Sequence, residues 1–243
     1  MGRGDRRAGL GRWERRFGEP RRGFDRRFVK GTVLIHRDDE RVELDLHRTL
    51  ALGPFGLTVR LEDLWQGCEP VRVGGVDVRA LEAEQRFLHA CFHAVLGEVP
   101  PRLVPLRDLA QMSGNGKIDL DRVIDLARSW QAESVLLSAV ELAWETFGLD
   151  PAAETATRIR ALQPPAKQLQ ALGAYASDRR SYVGLCLATV AAIRRPSDKL
   201  RYVSALAFPA RQFVAPRYRG PMARWQAAAR ALRATPAHRG TRR

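Results

Sequence analysis

The chain has 243 residues, 45% of them hydrophobic and 28% charged, a composition that excludes a low-complexity or collagen-like protein and suits one large domain or two small ones. No apolar run approaches the roughly 20 residues of a membrane-spanning helix, and MGRGDRRAGLGRWERR at the start lacks the apolar core of a secretory leader. Cys68, Cys91 and Cys186 lie far apart with no Cys-x-x-Cys, which argues against a disulfide framework or zinc knuckle and fits a reducing cytoplasm. In chain order, residues 1–12 read as a disordered basic tail. FVKGTVLIH reads as a strand, RDDE (residues 37–40) as a turn and RVELDLHRTL (41–50) as a second strand, together an antiparallel hairpin. GPFG (53–56) is a break, LEDLWQ a short helical turn, and VRVGGVDV a tight hairpin around Gly74-Gly75. From residue 80 the pattern is helical. ALEAEQRFLHACFHAVLG carries one apolar stripe, with Gly97 as its stop.

The helices that follow are LVPLRDLAQM, one begun by Asp119 or Asp121, AESVLLSAVELAWETFG closed by Gly148, and 151–162 with Pro151 in its first turn. Then come SYVGLCLATVAAI, PSDKLRYVSALAF and a basic amphipathic helix over 221–234. The expected class is α+β, a β-rich N-terminal region before a helical body, rather than an alternating βα fold. The expected divisions are a tail at 1–12, a β-rich region at 13–79, a helical domain at 80–234 and a basic tail at 235–243.

The net charge of +14 is concentrated at the ends. Residues 1–30 carry 11 Lys/Arg against 4 Asp/Glu, residues 199–243 carry 11 against none, and the body between is mildly acidic. Basic termini make nucleic acid a candidate partner through its phosphates. The simpler reading is a solvated Arg-rich tail, since neither end interleaves aromatic residues with its cations.

Val42, Leu44 and Leu46 alternate with Glu43, Asp45 and His47, the period of a strand with one buried and one open face. Two acids two residues apart on a strand share a face, so both can reach one divalent cation. The same pattern is also the ordinary charged outer face of a half-exposed sheet, the commoner case. His89 and His93 have the i, i+4 spacing of helical zinc sites. HACFH supplies no general base, which favours a hydrogen-bonded packing role. SGNGK (113–117) lacks the spacing of a phosphate loop and reads as a connector, and Arg107-Asp108 as a local ion pair.

Several of these pieces, in order, resemble one family. DRRFVKGTVLIHRDDERVELDLHRTLALGPFG is similar to the last catalytic carboxylate strand of the uncharacterised bacterial nucleotidyltransferases of the polymerase-beta-like superfamily, which reads acid, Leu-His, then Arg. VGGVDVRALEAEQRFLHACFHAVLG, PRLVPLRDLAQM, IDLDRVIDLARSW and RYVSALAFPARQFVAPRYRG resemble its later segments, so the likeness runs from about Trp13 to about Arg219. It implies a partial nucleotidyltransferase sheet before the helical body and Mg²⁺-dependent transfer of a nucleotidyl group from an NTP to an unknown acceptor. It places Asp45 as the third catalytic carboxylate and metal ligand, with Glu43 as a second metal-side acid and His47 following. Family members begin with a Gly-Ser motif and an Asp-x-Asp strand. This chain has neither before residue 41, and Asp5, Asp38 and Asp39 are no substitutes. The expectation is therefore an N-terminally truncated and impaired enzyme, a lone acid pair holding Mg²⁺ weakly. The alternative is a non-catalytic module that binds a protein or nucleic acid.

Overall fold

The computed structural model describes residues 13–16, 19–98, 100–114, 118–176, 182–210, 213 and 226. The expected tails at 1–12 and 235–243, residues 115–117 of the SGNGK connector and, apart from residue 226, the helix over 221–234 lie outside them. The described chain is α+β, as its pattern predicts: a small antiparallel sheet at the N-terminal side, then helix upon helix.

The first sheet has the order β1-β2-β3, formed by β1 (Trp13–Arg15), β2 (Gly31–His36) and β3 (Asp39–His47). The turn between β2 and β3 is tighter than the four residues RDDE suggest. Only Arg37 and Asp38 turn, Asp39 and Glu40 join β3, and the register slips once between Ile35 and His36. Asp39 accepts from the Arg41 backbone N–H at 3.1 Å and from its guanidinium at 2.9 Å, which fastens the start of β3.

A short helix, α1 (Asp25–Phe28), precedes β2 where the sequence shows no helical period, four residues being too few to display one. Its reason is apolar. Phe24 and Phe28 bury with Ile193, Tyr202 and Ala205 in a small core of their own, with Phe28 and Tyr202 edge-on at 5.1 Å.

After β3 the chain turns inward. The backbone N–H groups of Arg48 and Thr49 both donate to the Lys30 carbonyl, at 2.7 and 3.2 Å, and Thr49, Leu50 and Ala51 are buried. Gly53 (φ 78°) opens a 3-10 turn over Pro54–Leu57. A side chain at Gly53 would collide with Leu185 and with the Tyr175 hydroxyl, which donates to the Leu52 carbonyl. Next come α2 (Leu61–Gln66) and the expected hairpin, β4 (Glu69–Val73) and β5 (Val76–Ala80), turning on Gly74 and Gly75, both at positive φ.

The main core is helical. In α3 (Ala83–Leu96), Phe87, Leu88, Cys91 and Phe92 face inward and pack with α4 (Leu103–Gly114), α5 (Leu120–Ser129) and α6 (Glu133–Phe147). Asp119 caps α5, accepting from the N–H groups of Asp121 and Arg122. Gly148 closes α6 in the left-handed conformation, φ 58°. α7 (Ala153–Arg160) has Ala152 as its cap, so Pro151 stands one residue before the cap and outside its expected place in the first turn. α8 (Ala166–Ala176), α9 (Tyr182–Ala192) and α10 (Pro196–Ala207) complete the body. No helix among the described residues is long and apolar enough to cross a membrane.

Candidate functional site

Period two puts Glu43, Asp45 and His47 on one face of β3, and the hairpin register sets them opposite Ile35, Val33 and Gly31 of β2. The sequence correctly gives β3 as a strand, but its apolar side is not buried. Val42, Leu44 and Leu46 are 46%, 45% and 58% exposed, because the helices of the body pack on one another rather than across this strand. β3 is an edge strand, and its other side is open too.

At the end of β3 the geometry becomes specific. His47 Nε2 donates to Asp45 Oδ2 at 2.7 Å, so one carboxylate oxygen is held and the other remains available. That second oxygen, Oδ1, lies over Gly31. A Cβ on Gly31 would sit 3.2 Å from it and only 2.8 Å from both His47 Cδ2 and the Leu46 carbonyl oxygen. The absence of a side chain at residue 31 is what lets the Asp45-His47 pair fold down on β2. Glu43 points the same way but is engaged by the Arg16 guanidinium.

The strand's neighbours are basic or imidazole. Lys30 is half-buried, and that burial pushes its pKa below the usual lysine range, with the nearby Asp45 carboxylate opposing the shift. From the helical side, α3 turns His89 and His93 towards the same end of the sheet. Their Nε2 atoms are 3.0 Å apart, the packing hydrogen bond that the HACFH spacing suggests. Burial first, then His93, Lys30 and His47, together lower the pKa of His89 to about 4. Burial also lowers that of His93, with Lys30 and His47 adding to it. Both histidines therefore feel the charges of Lys30 and His47. Sequence reasoning finds Asp45, Glu43 and His47 from local spacing. It misses Lys30 and Gly31 as neighbours of the site, although counting the hairpin register back from His47 reaches Gly31.

Among the described residues, no three His, Cys, Asp or Glu side chains converge as a closed metal cage. Asp45 and Glu43, two residues apart on one face of β3, are two carboxylates without a third beside them among the described residues. Of the remaining candidates, Arg107 and Asp108 form the expected local ion pair at 2.8 Å, and Ser113 and Gly114 end α4 rather than cradle an anion.

A family model described as uncharacterised nucleotidyltransferase matches residues 12–148, more than half of the chain. The matched stretch includes all of β3 and the helix that carries His89 and His93. No curated protein and no solved structure matches the chain.

Proposed function

The chain belongs to the uncharacterised nucleotidyltransferase family, and we propose that it moves a nucleotidyl group from an NTP to an acceptor hydroxyl at the Asp45 end of β3. The observation that supports this reading is the Asp45 carboxylate itself, one oxygen fixed by His47 and the other open, with an ammonium group beside it. In this reading Asp45, assisted by Glu43, holds Mg²⁺. Bound there, the ion supplies charge neutralisation at the triphosphate and at the departing pyrophosphate.

The protein's own groups then have separate tasks. His47 fixes the Asp45 rotamer, so the free oxygen needs little reorganisation to meet a cation. Lys30 is a compact positive charge within reach of the same space and suits an anionic phosphate. His89, neutral at pH 7, leaves the α3 side of the site without added positive charge. Arg16 neutralises Glu43 until a cation competes for it.

The test is incorporation of label from an NTP in the presence of Mg²⁺ by the intact chain and by Asp45→Asn. Loss of a positioned charge of this kind lowers rate by about 100-fold or more. Equal labelling by both would refute the role of Asp45.

A second reading, a non-catalytic binding module, is favoured by one observation. Val42, Leu44 and Leu46 form an exposed apolar row on an edge strand, which soluble folds ordinarily cover or blunt. It expects calorimetry to show no Mg²⁺-dependent nucleotide binding, together with salt-sensitive association with a protein or nucleic acid.

A further inference from the structure

On the helical body lies a cleft of about 540 Å³ that shares no residue with β3. Its size falls within the range of small-ligand sites. Five cations line it, Arg27, Arg60, Lys167, Arg194 and Arg195, against two acids, Asp63 and Asp198. Asp198 is shared between Arg27 at 3.0 Å and Arg201 at 3.4 Å, and Arg60 pairs with Glu62 at 3.7 Å. Lys167, Arg194 and Arg195 make no ion pair with any described residue. Cations are thus gathered from α1, α8 and the α9–α10 junction into one concave space without the carboxylates to neutralise them. Such an arrangement raises the local concentration of anions. Its floor is apolar, built from Phe28, Pro54, Phe55, Leu57 and Ile193.

A second observation comes from the backbone. Gln131 lines the cleft and has φ 53°, the only non-glycine residue at positive φ among the described residues. It occupies the left-handed position that ends α5. The Gln131 N–H donates to the Arg128 carbonyl at 3.0 Å and the Ala132 N–H to the Ala127 carbonyl at 2.7 Å, the paired bonds of a helix stop that glycine ordinarily serves. The comparable stop of α6 uses Gly148. Keeping a strained glutamine where glycine would relax the chain sets an amide, both donor and acceptor, at the wall of a basic cleft.

We propose that this cleft binds a small organic phosphate carrying two or more negative charges. The phosphate oxygens are met by Lys167, Arg194 and Arg195 and by the Gln131 amide N–H as a further donor, and the carbon body of the ligand by the apolar floor. A nucleic-acid strand fits poorly. Strand binders present open aromatic faces for base stacking, whereas Phe28 and Phe55 are 7% and 2% exposed. The proposal is independent of the Asp45 reading, since it uses neither β3 nor a metal.

The experiment is calorimetric titration of the full chain with inorganic pyrophosphate in EDTA, which keeps any metal out of the Asp45 region. Lys167→Glu and Arg194→Glu should each weaken binding about tenfold, as loss of a charge-assisted contact does. Arg72→Glu, an equally exposed cation on β4, should change it less than about twofold, which separates a built site from general attraction to a chain of net charge +14. Gln131→Gly should weaken binding severalfold while its thermal midpoint stays level or rises, which a misfolded variant could not do. The proposal fails if pyrophosphate does not bind at low salt or if Arg72→Glu costs as much as the cleft variants. It also fails if Gln131→Gly binds as before, or if a single-stranded oligonucleotide binds where pyrophosphate does not.

Discussion

The imidazole of His89 gives the most direct check on how deeply α3 is buried in the body. Its pKa is lowered from 6.5 to about 4, first by burial and then by His93, Lys30 and His47. The unfolded chain therefore takes up this proton before the folded chain does. The sign follows: stability is complete above about pH 6.5 and falls as pH drops towards 4, where the folded state also protonates. The limiting loss is roughly 3 kcal/mol, of which about 2 kcal/mol is expected by pH 5. Because the ring is only partly buried, water shares the cost, and about 1 kcal/mol is the realistic figure. The measurement is urea unfolding from pH 8 to pH 5 for the native chain and for His89→Gln, which keeps a hydrogen-bonding group beside His93. Other groups titrate in both proteins, so the difference between the two curves isolates His89. The native chain should lose about 1 kcal/mol more than the variant across that interval. Parallel curves would refute the buried placement of His89.

Two further substitutions probe the frame of the site. Gly31→Ala puts a Cβ 2.8 Å from His47 Cδ2 and from the Leu46 carbonyl, so β3 or the His47 ring must move. We expect a stability loss of about 1–3 kcal/mol and loss of Mg²⁺-dependent nucleotide binding by calorimetry, and an unaltered variant would contradict the close approach of β2 and β3. Phe28→Ala empties the centre of the small core formed with Phe24 and Tyr202. Thermal unfolding should show about 3 kcal/mol of destabilisation, and a loss below about 1 kcal/mol would mean that α1 is not anchored by this cluster.

How much of this was legible follows from the range of each signal. Gly148 announces a helix end by local chemistry and the end falls there, whereas the start of α5 is narrowed by sequence only to Asp119 or Asp121 and the structure puts the cap at Asp119. The apolar stripe of α3 is equally plain, since four turns give its period room to repeat. Alternation along β3 identifies a strand for the same reason, yet it says only which side chains share a face. Whether Leu44 is covered depends on a second layer, and the helices here find better partners in each other. α1 has too few residues to show a period, and its stability comes from Tyr202, far along the chain. In the site, Asp45 and His47 are neighbours by spacing alone. Lys30, His89 and His93 join them only through a hairpin register and a helix packing that no short window of sequence contains.

The same reasoning separates the two kinds of positive charge in this chain. By count, the termini dominate, and counting draws attention to them as the basic part of the molecule. An isolated charge in water is screened within about 8 Å at physiological ionic strength. Arg27, Arg60, Lys167, Arg194 and Arg195 stand instead around one cleft floored by buried phenylalanine and isoleucine. Gathered around one concave space, those charges act together on the same small volume. Lys30 is the same case on a smaller scale, a half-buried ammonium group that feels the Asp45 charge, on a residue whose carbonyl accepts from the Arg48 and Thr49 N–H groups. Function in a basic protein of this kind is therefore to be sought where folding has concentrated charge, not where the sequence has most of it.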